Sequence, residues 1–313
     1  MKIHVLGIDV GGTNIKLGLV DATGNIILKT RLKTQFFHQS QKKLIAALCE
    51  ACLKLIQTCH LRRKDIAGIG LGLPGLIDPE AGKVHFLPNI PGWRNVSLKN
   101  IIEDEIRIPT FIDNDVNVIT LAEWKYGAGK GFKNLLCLTL GTGVGGGLIL
   151  NNQLYRGEGF AAGELGHIPL NEQGPRCNCG GKACLERYVG NRTLMNRAAR
   201  IFHNPQITLP EIFRMASLRD IRAIRFWEKV GQHLGLALTG TINLLNLRLI
   251  IIGGGVANNF KFFAGATRKT LQERAMKIQA AMVQIRKARL GDDAGIKGAQ
   301  VLVGMALRKM PYY

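Results

Sequence analysis

Apolar residues alternate with small or polar ones through IHVLGIDVGG, NIKLGLV and NIILKT, and turn signals fall at Gly11-Gly12-Thr13 and Thr23-Gly24-Asn25. Period-two alternation broken by glycine-rich turns predicts three antiparallel strands. SQKKLIAALCEACLKLIQTC then sets apolar residues at helical spacing, placing Cys49, Cys52 and Cys59 on or near a helix. IAGIGLGLPGLID reads as a strand ending in a Pro-Gly turn. The pattern predicts helices over Val96 to Ile106 and Val116 to Tyr126, with PTFIDND between them as a short strand ending in polar residues.

The opening layout then recurs. NLLCLTLGTGVGGGLILNNQLYRG is again strand, Gly-Thr turn, strand and polar turn, which suggests an internal duplication. From Arg187 to about Asn246 the spacing is mainly helical, and the strand LRLIIIGGG and further helices follow. Sheets alternating with helices in two similar halves predict an α/β protein with a cleft between two domains.

A chain of 313 residues suits two domains, each with its own core. The N-terminus lacks a signal-peptide pattern, and no run approaches the ~18 to 20 apolar residues of a membrane span. The expected location is therefore cytoplasmic, where clustered cysteines favour a metal or catalysis over disulfides. RCNCGGKACLE holds three such cysteines, whereas Cys49, Cys52, Cys59 and Cys137 lie in apolar patterns and read as core. The net charge of +20 raises a nucleic-acid or acidic-ligand hypothesis. The most basic stretch, Lys261 to Arg289, has the spacing of a solvated helix face.

Gly141 to Gly146 spells GxGxxG, but a dinucleotide site needs a helix directly after it, and GGLIL is strand-like. No GxxxxGK[ST] occurs. Two other uses remain for the turns Gly11-Gly12-Thr13 and Gly141-Thr142-Gly143 and for Gly254-Gly255. They are tight hairpins, or they are backbone-amide cradles for phosphates, with Thr13 and Thr142 adding hydroxyls. Asp9, beside the first turn, could hold a Mg²⁺ ion that bridges nucleotide phosphates. Lys16 reads as a solvated or edge charge rather than a phosphate ligand. Asp113-Asn114-Asp115 is open to two readings, a catalytic carboxylate or a cap in which Asp115 starts the next helix.

Asp9-x-Gly11-Gly12-Thr13-x-x-Lys16 resembles the phosphate motif of the sugar kinase, actin and chaperone superfamily. Glu164-x-Gly166-His167, followed by Cys177-x-Cys179-Gly180-x-x-x-Cys184-x-Glu186, resembles the ROK family of repressors and sugar kinases, and the likeness runs to LGDDAGIKGAQ at Leu290 to Gln300. Ala183 departs from the family's usual glycine and should shift the local turn without removing a ligand.

The resemblance implies a two-domain actin-like (ribonuclease H-like) ATPase fold. The smaller domain would be residues 1–117 plus a C-terminal helix at about 299–313, and the larger 118–298. It implies a structural Zn²⁺ on His167, Cys177, Cys179 and Cys184, four donors that suit a closed tetrahedral site. It makes Asp115 the base for a sugar hydroxyl. Asn114, Glu164, His167 and Glu186 become hydroxyl partners, Asn89 a sugar contact, and Gly75 a point of close backbone approach. ATP and Mg²⁺ would be the cofactors, held at Asp9, Gly11, Gly12, Thr13, Gly141, Thr142, Gly143, Gly254 and Gly255. The implied reaction is phosphorylation of a hexose at the 6-hydroxyl, glucose first, then an N-acetylhexosamine or fructose. Polyphosphate is an alternative donor, and relatives are commonly dimers. Repressors of the family carry an added winged helix-turn-helix, yet only eight residues precede Asp9, so specific DNA binding is not expected.

Overall fold

In the computed structural model, which describes residues 4–37, 40–87 and 92–309, the opening alternation forms an antiparallel meander. Its strands are β1 (His4–Val10), β2 (Asn14–Val20) and β3 (Ile26–Lys33). Ser40 caps α1 (Gln41–Thr58) by accepting from the Lys43 N–H at 3.2 Å. The helix buries Leu44, Leu48, Cys52 and Leu55 at i, i+4, i+8 and i+11. β4 (Ile66–Leu73) lies parallel to β1. A small antiparallel sheet follows, of β5 (Leu76–Asp78), β6 (Lys83–Phe86) and β7 (Arg94–Val96). Val96 pairs with Val84 there, so the helix expected from Val96 starts later, as α2 (Leu98–Ile106). β8 (Thr110–Asn114), parallel to β4, runs directly into α3 (Asp115–Tyr126). The sheet order is β3-β2-β1-β4-β8.

The second half repeats this plan. β9 (Leu135–Leu140), β10 (Val144–Leu150) and β11 (Gln153–Tyr155) form the meander. Helices α4 (Glu186–Val189), α5 (Asn191–Phe202), α6 (Leu209–Ser217) and α7 (Ile221–Leu245) come next. β12 (Leu249–Gly253) is parallel to β9. The basic stretch expected as one solvated helix face is instead α8 (Phe260–Arg274), α9 (Lys277–Met282) and β13 (Gln284–Lys287). β13 closes the open edge of β12 and buries Ile285, a long-range pairing that helical spacing does not show. The order, β11-β10-β9-β12-β13, is that of the first sheet. The core here centres on Phe226, Trp227 and Phe263.

The chain ends its described part in α10 (Ala294–Lys309), which lies on the first sheet. A side chain at Gly7 or Gly70 would overlap the carbonyl of Ile296 or Ala299, so glycine in β1 and β4 permits that close approach. One unit therefore takes the chain up to Lys130, the segment Arg156–Ala162 and the chain from Leu290 onward; the other takes Gly131–Tyr155 and Gly163–Arg289. The sequence-based boundaries at 117 and 299 fall inside helices that cannot be divided in this way. α3 packs on α10, with Gly298 against the Val118 carbonyl. The buried carboxylate of Glu123 accepts from Ala128 N and from Leu290 N, each at 2.8 Å, and so fixes the start of the returning segment. Among the described residues no helix is long and apolar enough to cross a membrane.

Candidate functional site

In the first unit β1, β4 and β8 are parallel, so their carboxyl ends share one edge of the sheet. Ligands of open α/β sheets bind outside that edge. The turn Gly11-Gly12-Thr13 leaves β1, Gly75 follows β4, and Asp113-Asn114-Asp115 closes β8, so these sequence-selected residues do come together. Gly11 N donates to Asn14 O at 3.0 Å, and the Thr34 hydroxyl donates to Gly11 O at 2.8 Å, leaving Gly12 and Thr13 exposed at the tip.

Asp9 is drawn in beside this turn, against Gly295. Burial raises its pKa, the positive charge of Lys16 partly offsets this, and the nearby Asp292 carboxylate adds to it. Lys16 Nζ lies 4.0 Å from Asp9 and 3.1 Å from Asp292 Oδ1. It is not a freely solvated charge but the cation between two carboxylates. A half-buried carboxylate with so distant a counter-charge is chemically suited to a hard cation.

The helix cap belongs to Asn114 rather than Asp115. Asn114 Oδ1 accepts from Val116 N at 2.9 Å and Asn117 N at 3.3 Å, while its amide donates to Gly75 O at 3.1 Å. Gly75 meets that amide from a left-handed φ of 99°. Asp115 is the first helical residue, half-buried, with Oδ1 2.9 Å from Val116 N. Two further residues escaped the sequence reading as a pair. Asp113 is 1% exposed, and its Oδ2 takes Arg156 Nε at 2.7 Å and Nη2 at 2.6 Å. Its Oδ1 takes Asn117 Nδ2 at 2.9 Å and Asn114 N at 2.8 Å. Asp113 therefore holds the backbone that presents Asp115. Its place in a DND triplet was a signal; nothing local marked Arg156, distant in the chain. Asn89 lies outside the described residues.

In the second unit the turns Gly141-Thr142-Gly143 and Gly254-Gly255 follow the parallel strands β9 and β12 and share an edge in the same way. Gly254 has φ 83°, and a side chain there would overlap the Leu140 backbone. Gly141 N donates to Gly143 O at 2.9 Å, and Gly141 O accepts from Asn191 N at 2.9 Å. Glu186 reaches the same turn: its Oε2 accepts from Val144 N at 2.9 Å and stands against Gly143.

His167, Cys177, Cys179 and Cys184 offer ligand atoms all within 4.8 Å of one another. Cys179 and Cys184 Sγ are 3.7 Å apart, and Cys177 Sγ is 3.7 Å from His167 Nδ1. Sulfurs about 2.3 Å from a central ion in tetrahedral geometry stand about 3.8 Å apart, so the donors fit one ion. A hydrogen bond from the Gly181 backbone holds Cys179 down to about 7, while burial and the neighbouring sulfurs push Cys184 up to about 12. The loop turns on Cys177 N to Gly181 O at 2.8 Å and is pinned by Leu170 N to Ala183 O and Leu185 N to Ile168 O. Ala183 is accommodated within the turn. It is fully buried and adopts the left-handed φ of 55° itself, at a cost of roughly 1 kcal/mol.

With Nδ1 facing the sulfurs, His167 turns Nε2 toward Glu164 Oε2 at 3.8 Å, so this carboxylate can orient the ring. Glu164 is raised in pKa, by desolvation first, with Glu186 adding and His167 opposing.

The model of the ROK family matches residues 5–305. A glucokinase of Halalkalibacterium halodurans is 35% identical over 314 residues, which cover 95% of this chain and 94% of that protein. A xylose repressor of Caldicellulosiruptor bescii is 27% identical and matches 99% of this chain but 80% of its own length. Among solved structures, the ROK hexokinase of Thermus thermophilus has TM-score 0.82 at 32% identity, covering 99% of this chain and all of that one. The Streptomyces griseus ROK glucokinase in complex with glucose and AMPPNP has TM-score 0.77 at 28% identity, with 95% and 97% coverage. The repeated sheet order is accordingly that of the actin-like ATPase fold. Strand-end motifs, donor cluster and whole-chain likeness agree, and the chain belongs to the ROK family.

Proposed function

We propose that this chain is an ATP-dependent hexose kinase that phosphorylates glucose at its 6-hydroxyl. The observation that carries the reading is the strand-end group of the first unit, where Asp115 stands on the same sheet edge as Asp9 and the Gly11-Gly12-Thr13 turn. Phosphoryl transfer needs a base for the acceptor hydroxyl and donors along the phosphates. Asp115 supplies the carboxylate that accepts the hydroxyl proton, and Asp113, locked by Arg156, keeps it in place. Asn114 and Gly75 form the neighbouring polar wall. Glu164, His167 and Glu186 bind further hydroxyls, whose burial would otherwise be costly. The backbone amides of both glycine turns and of Gly254-Gly255 receive the phosphates, with Thr13 and Thr142 beside them.

Mg²⁺ held by Asp9 would neutralise the phosphate charge. Zn²⁺ on His167, Cys177, Cys179 and Cys184 would be structural, since four protein donors leave no open position for a substrate oxygen. A cytoplasmic location and a homodimer belong to the same proposal, to be checked by fractionation and light scattering. The likeness to repressors makes sugar-responsive DNA binding the second reading; the full strand-end carboxylate set of the first unit favours the kinase.

The test is ADP release with Mg-ATP against glucose, mannose, fructose, N-acetylglucosamine and N-acetylmannosamine, with Asp115→Ala as control. Turnover is expected on glucose and is lost in the variant. Folded protein that turns over none of these sugars would sink the reading.

A further inference from the structure

One concave region of the second unit takes no part in this chemistry. It has a volume of about 750 Å³ and lies between the facing sides of α4, α5 and α7. Arg187 enters it from α4, Arg197 and Arg200 from α5, and Arg225, Lys229 and His233 from α7. Spacings of three and four residues set Arg197 with Arg200, and Arg225 with Lys229, on one helix face each, where like charges repel. No Asp or Glu is among the residues lining the cavity. Arg222 at its rim is paired with Asp220 at 3.3 Å, but Arg187, Arg200, Arg225 and Lys229 make no ion pair among the described residues.

Two polar atoms of its lining residues are buried without a partner, Arg187 Nε and His233 Nδ1. Buried polar groups of this kind are normally satisfied, and Arg187 Nε, which can only donate, lacks an acceptor. The local field agrees: burial first, then the charges of Lys229 and Arg197, push His233 down to about 4. Arg197 is held rigidly, donating to Phe226 O at 2.8 Å with its guanidinium 4.7 Å from the Phe226 ring centre. Phe226 and Ile201 add an apolar floor.

We propose that this cavity binds a small ligand carrying two or more phosphate charges. Guanidinium groups match phosphate oxygens bidentately, several converge here, and the volume is that of a small-molecule site. The site uses none of the residues assigned to phosphoryl transfer, so it stands apart from the kinase reading. The shared chemistry could come from an inorganic oligophosphate or from a phosphorylated organic molecule, for which the apolar floor is suited.

The experiment is calorimetric titration of inorganic tripolyphosphate and, separately, glucose 6-phosphate into the full chain at fixed salt. Wild type is compared with the triple variant Arg200→Gln, Arg225→Gln, Lys229→Gln. At least one of the two ligands is expected to bind wild type, with affinity at least tenfold weaker in the variant, and which one binds identifies the source. Should the triple variant melt early, Arg225→Gln alone replaces it, with a loss of at least threefold expected. Equal affinity in wild type and variant, or binding of neither ligand, overturns the proposal. So does a single-stranded 12-nucleotide DNA that binds more tightly than both and is lost in the variant, since the surface would then be a nucleic-acid face.

Discussion

At the carboxyl ends of β1 and β8 the first sheet delivers Asp9, Asp113 and Asp115, whereas the strands in the same places of the second sheet, β9 and β13, deliver no carboxylate, ending in Thr139-Leu140 and Arg286-Lys287. The strand order is the same in both. The second unit's carboxylates arrive by another route, on the irregular segment from Glu164 to Glu186, which a Cys3His cluster closes. A sheet edge fixes a side chain through its ladder of hydrogen bonds; an irregular loop needs a clamp. One duplicated scaffold has thus been used for two tasks, with acidic chemistry built into the strands of one copy and grafted onto the other.

The comparison breaks most visibly if the clamp is removed. With zinc in the proposed site, Cys184→Ala should abolish metal binding, read by elemental analysis, and destabilise the second unit. A loss of about 4 kcal/mol, a fraction of what zinc contributes to isolated fingers, lowers the melting temperature by roughly 10 °C. An unchanged melt in calorimetry would mean that the loop holds itself. The equivalent blow to the first unit is Arg156→Ala, which leaves the Asp113 carboxylate buried and unpaired. A cost of about 3–5 kcal/mol is expected in urea unfolding, and Asp113→Asn in the same chain should recover part of it.

A smaller effect, of opposite sign, is expected at Asp9. Its folded pKa lies above the ordinary 3.8, so the native state holds this proton more tightly than the unfolded chain. Stability therefore falls as pH rises from the ordinary carboxylate range through the raised value. Asp9→Asn should melt higher than the parent near neutral pH, with the gap closing below about pH 4, while kinase activity is lost. A lower melt at neutral pH would show that Lys16 stabilises the carboxylate more than burial opposes it. Smallest of all is Ala183→Gly. Relief of the left-handed backbone is offset by a more flexible unfolded chain, so stability should move by less than about 1 kcal/mol.

Legibility in the sequence follows the same division. Period-two strands, the glycine turns and the Cys-x-Cys…Cys spacing are local patterns, and the meanders, α1, α3 and the donor cluster formed from them. Asn114 rather than Asp115 as cap turned on one residue of register. Non-local partners left no trace: β13 pairs with β12 across the α8 and α9 segment, and Arg156 finds Asp113 from 43 positions away. The domain boundaries slipped for the same reason, because α3 and α10 belong together only once α10 returns to the first sheet. The charge excess had no address in the sequence. Part of it now lies along the facing sides of α5 and α7.

The strand-end carboxylate of Asp115 is proposed as the base for a sugar hydroxyl. Its most direct test is transfer of label from γ-labelled ATP to glucose by wild type and Asp115→Asn side by side, under saturating substrates. Labelled glucose 6-phosphate is expected from wild type and a rate about 100- to 10,000-fold lower from the variant, with its melting temperature nearly unchanged. Equal rates from two folded proteins would contradict it.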